Sequence, residues 1–143
     1  LLRYSPHTKV PIVISIACSA GAFDLELLKS PGDRGAHSFG EGVLLSPAAG
    51  IAYFGSSRFS YGSVSYRLGQ RQRVMVRERY YGELLYRILQ SRRHGADTLG
   101  QLYADALFEF VSNNDMAGNP GNVITAFQNV LLGDSALKIP VRP

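Results

Sequence analysis

Apolar positions near the start of the chain show little alternation. Val10 to Ala17 reads Val-Pro-Ile-Val-Ile-Ser-Ile-Ala, a β-branched run with almost no polar face. A strand buried on both sides of a parallel sheet has this pattern. The run ends in Cys18-Ser19-Ala20-Gly21, a turn of small residues, and Ala22 to Leu28 reads as a helical turn or a loop. Lys29 to Ser38 is polar, carries Pro and Gly, and predicts a loop. Phe39 to Leu45 suits a short helix stopped near Pro47. Gly50 to Gly55 predicts a second short buried strand. Ser56 to Gly69, rich in Ser, Gly and Tyr, predicts an irregular loop or a hairpin.

The remainder has a helical period. Tyr81, Leu84, Leu85, Ile88 and Leu89 form an apolar stripe, and Arg92, Arg93, His94 and Gly95 suit the end of that helix. A second helix starts near Asp97-Thr98 and carries Leu99, Leu102, Ala106 and Phe110 on one face. A third starts at Asn119-Pro120 and carries Val123, Phe127 and Val130. Leu137 to Val141 is expected as a last edge strand, its pairing limited by Pro140. Strands alternating with helices predict an α/β fold with a mainly parallel sheet flanked by helices.

Composition narrows the class. The 143 residues suffice for one domain with a sizeable core, and 45% hydrophobic with 18% charged is ordinary for a globular chain. No stretch reaches the roughly 18 apolar residues of a membrane span. The formal charge of +4 is concentrated in Arg67, Arg71, Arg73, Arg77, Arg79, Arg87, Arg92 and Arg93. With no nucleic-acid module alongside, this cluster reads as a solvated helix face, and no nucleic-acid partner is expected. A single Cys excludes an intrachain disulfide. The opening Leu1-Leu2-Arg3, without a starting Met, reads as a fragment or processed product and leaves export undecided.

Chemistry collects at the carboxyl ends of strands in open α/β sheets. Cys18 stands at such an end, and its small neighbours let a substrate backbone approach. The N–H groups of the turn, at Cys18, Ser19 and Gly21, are candidate oxyanion donors. A lone Cys can equally be a small core hydrophobe. No histidine offers itself plainly as a base. The eight-residue strand spans about 26 Å, which puts His7 at the wrong end. His94 is explained by the helix end, and His37, in the loop between the strands, is an accessory candidate. No spacing suggests a metal site.

The run Ile14-Ser15-Ile16-Ala17-Cys18-Ser19-Ala20-Gly21-Ala22-Phe23-Asp24 resembles the nucleophile block of the gingipain-type cysteine peptidases. Three further blocks agree in order: Ser38-Phe39-Gly40-Glu41, Gly50 to Gly62, and Leu132-Gly133-Asp134-Ser135-Ala136-Leu137, with Ser135 where Pro is common. The resemblance implies a caspase-like fold, with residues 1–143 as the C-terminal portion of one peptidase domain and the N-terminal strands missing. It implies a cysteine endopeptidase acting on polypeptides through a Cys-His dyad. Cys18 is the nucleophile, and the His lies further upstream than the 17 residues that precede it here. Cys18 N–H would be the local oxyanion donor, and Ser56, Ser57 and Tyr61 match the specificity segment. Some relatives carry a Trp there; this chain has none, so their preference does not carry over. No cofactor is required, calcium is found in some relatives, and extracellular or cell-surface location follows only by analogy. Two alternatives stay open: a separase-related caspase-like protease, and a non-catalytic scaffold or secretion-associated binding module.

Overall fold

A computed structural model describes residues 11–24, 37–46, 50–62, 64–67, 72–75 and 79–139. In chain order the elements are β1 (Ile12–Ile14), α1 (Phe39–Leu45), β2 (Ala52–Ser56), β3 (Val64–Arg67), β4 (Gln72–Met75), α2 (Tyr80–Arg93), α3 (Leu99–Asn113), α4 (Pro120–Gln128) and β5 (Asn129–Gly133). The mixture of strands and helices is the expected α/β class. No described helix is long and apolar enough to cross a membrane. The chain forms two units, one of Leu1–Phe59 with Gln128–Asp134, the other of Ser60–Phe127 with Ser135–Pro143.

The first unit is built on β2, whose five residues are all buried. It pairs in parallel with β1 and antiparallel with β5, giving the order β1-β2-β5. The expectation of a mainly parallel sheet is therefore corrected to a mixed one. Asn129–Gly133 is the cause: its apolar residues continue the pattern of α4, so Val130 reads as helix in sequence although it lies in β5 opposite Gly55. The third helix's expected stripe fails with it, since Phe127 is 82% exposed and α4 buries Gly121, Asn122, Thr125 and Ala126 instead.

On one face of β2 lies the ring of Tyr53, fully buried. Phe39 at the start of α1 meets it edge-on at 6.0 Å. A Cβ at Gly40 would lie 2.8 Å from Tyr53 Cδ1 and 2.9 Å from Leu132 Cδ1, so only glycine lets α1 sit this close. Ser38 caps α1: its Oγ accepts from Glu41 N–H at 3.2 Å, and its own N–H donates to the Glu41 carboxylate at 2.7 Å. This capping box fixes where the polar loop becomes helix.

The second unit packs α2 against α3. Tyr81, Leu84 and Ile88 are buried on α2, and Leu99, Leu102, Ala106 and Phe110 on α3, as the helical spacing predicts; Leu89, assigned to the same stripe, is 59% exposed. His94 caps α2, and Gly95 follows with φ +99°, a conformation that suits glycine. The N-terminus of α3 has a capping box of Thr98 and Gln101. Its first amides are also met by the chain's last described stretch: Leu99 N–H donates to Leu137 O, and Gly100 N–H to Ser135 O. The expected edge strand over Leu137 to Val141 is reduced there to one bridge between Thr98 and Lys138, while residues 140–143 lie outside the described ones. Of the Ser56 to Gly69 stretch past the end of β2, the described residues 57–62 are irregular and only β3 is strand; it pairs antiparallel with β4, which lies beyond that stretch.

Candidate active site

Because β1 and β2 are parallel, with Ile14 opposite Phe54, their carboxyl ends open on the same side. The ladder continues one step past β1, Ser15 N–H donating to Phe54 O at 2.9 Å. Cys18 follows three residues later in a turn and is exposed to solvent.

The turn after Cys18 is stitched to the segment that leaves β2. Ser19 has φ +55°, the left-handed region that a residue with a Cβ adopts at a cost of about 1–3 kcal/mol. In that conformation its N–H donates to Arg58 O at 2.6 Å, and Gly21 N–H donates to Ser56 O at 2.9 Å. Ala20 O accepts from Gly40 N–H at 2.7 Å, which ties the same turn to the start of α1. Gly21 is packed as well as bonded: a Cβ there would stand 3.0 Å from both Tyr53 Cε1 and Val130 Cγ2. One buried ring thus supports the turn from below. Burial pushes the Tyr53 phenol up.

Asp24 and Arg58 close the arrangement. Arg58 Nη1 donates to Asp24 Oδ1 at 2.8 Å and to Ser57 O at 2.8 Å, and Nη2 pairs with Asp24 Oδ2. The guanidinium hydrogen bond holds the Asp24 carboxyl below the usual carboxylate range, and Asp24 raises Arg58 in turn. Neither residue carries a role in the sequence reading, although both lie inside blocks that mark the resemblance. An acid and a base 34 positions apart give no local signal of pairing.

The other candidates divide. Ser56 and Ser57 stand beside the turn, but their hydroxyls serve the fold: Ser56 Oγ donates to Arg58 O at 3.0 Å, and Ser57 Oγ to Gln128 O at 3.1 Å. The amides of Ser19 and Gly21, expected as oxyanion donors, are likewise engaged in holding the turn. Tyr61 belongs to the second unit, where its ring lies 5.9 Å from that of Tyr80. His37 is exposed and directly precedes the α1 cap, His94 is in the second unit, and His7 lies outside the described residues. Within the arginine cluster, Arg87 bonds Glu83 and Glu109, and Arg92 bonds the carbonyls of Ala96 and Ile139. Those two cations are therefore committed to the chain's own structure.

The model of peptidase family C25 matches residues 2–140. No curated protein and no solved structure matches the chain.

Proposed function

The chain belongs to peptidase family C25, a family of cysteine peptidases, and from that premise we propose that Cys18 is the nucleophile of an endopeptidase. One observation carries the assignment. The chain's single cysteine is exposed on a turn at the carboxyl end of a parallel strand pair. A thiolate there reaches a substrate backbone that a buried thiol would not.

In this reading Cys18 Sγ attacks the scissile carbonyl carbon, and its proton passes to an imidazole. The tetrahedral oxyanion is met by the Cys18 N–H, while the amides of Ser19 and Gly21 hold the turn that aims it. Collapse breaks the C–N bond, and the imidazolium protonates the departing amine. Water then attacks the thioester, the imidazole takes its proton, and the thiol is restored as the acid leaves. The imidazole is assigned, by resemblance, to a His upstream of Leu1. Ser56 and Ser57 contribute backbone shape beside the thiol, and Tyr61 keeps its specificity role from the resemblance alone.

The test is peptide cleavage together with labelling by a thiol-directed acylating probe. Cys18→Ala is expected to remove labelling and to lower kcat/KM by at least about 10³-fold, the scale of losing a catalytic nucleophile. Cleavage that survives Cys18→Ala would leave the non-catalytic scaffold as the better account of this fold.

A further inference from the structure

The segment from Ser19 to Asp24 returns to a single residue at both ends. Ser19 N–H meets the Arg58 carbonyl at 2.6 Å, and the Asp24 carboxylate meets the Arg58 guanidinium through both of its oxygens. Arg58 is itself fixed twice more. Its carbonyl also accepts from Ser56 Oγ at 3.0 Å, and its Nη1 also donates to Ser57 O at 2.8 Å. The result is a closed ring with Cys18 at its entrance and a left-handed Ser19 as the first link.

A left-handed conformation at a residue with a Cβ persists only where the surroundings hold it. Two parallel N–H···O bonds of an Arg–carboxylate fork fix orientation as well as distance. Both side chains are partly exposed, at 43% for Arg58 and 29% for Asp24. Exposed ion pairs contribute little to global stability. The ring's geometry therefore bears on the local turn far more than on the fold as a whole.

Resting on the assignment of Cys18 as nucleophile, we propose that Asp24 and Arg58 are positioning residues that lock the Cys18–Ser19 turn in the geometry for attack. Arg58→Lys keeps the charge but loses the fork, so it is impaired rather than neutral. A misplacement of about 1 Å in a reacting group can cost about 10²-fold in rate.

The experiment combines amide hydrogen exchange with steady-state kinetics on the active peptidase carrying Asp24→Asn, Arg58→Lys, Arg58→Gln and the Asp24→Asn/Arg58→Gln pair. Exchange at the Ser19 and Gly21 amides is expected to speed up about tenfold or more in each, with amides of β2 and α3 unchanged. kcat is expected to fall about tenfold or more with KM within about threefold. The double variant should lose no more than the worse single one, as befits residues acting as a unit. Unchanged exchange and kcat in Asp24→Asn overturn the proposal. So do losses that multiply in the double variant, or exchange that rises throughout the chain. Cleavage surviving Cys18→Ala overturns the thiol assignment itself. Cys18-dependent cleavage that ignores Asp24 and Arg58 overturns only the positioning role.

Discussion

A carboxylate hydrogen-bonded to a guanidinium responds to pH in one direction. The Asp24 value is depressed in the folded chain. Its contribution is therefore fully present above the ordinary carboxylate range and is lost as pH falls through the lower folded value. Exchange protection at Ser19 N–H, corrected for intrinsic rates, should stay flat from about pH 8 to pH 5 and decline only below about pH 4. A decline centred near neutrality would show that another group governs the turn. The turn of small residues after the strand is legible in sequence. The partners of its amides are not, because Arg58 O and Ser56 O are brought there by the β1–β2 register, a relation between residues some forty positions apart.

Helices with an unbroken apolar stripe are the most readable elements. Leu99, Leu102, Ala106 and Phe110 recur at 3.6-residue spacing, and all four are buried in α3. Phe110→Ala should cost about 3–5 kcal/mol in denaturant unfolding, as expected for removing a buried aromatic side chain. Thr98→Ala should cost about 1 kcal/mol, because its Oγ1 satisfies the Gln101 amide at the open end of the helix. A smaller loss for Phe110→Ala than for Thr98→Ala would contradict the packing described. The boundary between α4 and β5 is the least readable. The helix passes into the strand directly, at the adjacent Gln128 and Asn129 and with no Pro or Gly between them, so the change rests on pairing with β2. Local pattern carries no trace of that partner.

For the chain as a whole, the class α/β and the location of the thiol follow from periodicity, whereas the activity follows from membership of the family. The proposal that the base is a His outside residues 1–143 predicts no peptide turnover by this chain on its own, measured with a fluorogenic peptide substrate. Turnover by this chain, abolished in His37→Ala, would transfer the base role to His37.

The buried ring of Tyr53 has a bearing on how such a sequence can drift. Gly21 in the turn and Gly40 in α1 are both crowded by the same ring: a Cβ would stand 3.0 Å from Tyr53 Cε1 at Gly21 and 2.9 Å from it at Gly40. An alanine at Gly40 requires both the Tyr53 ring and Leu132 to shift, and one at Gly21 requires the ring and Val130 to give by a few tenths of an ångström, so a narrower residue at position 53 eases both sites. Three positions spread over some thirty residues are therefore bound by epistasis, and divergent lineages should alter them together or leave them alone.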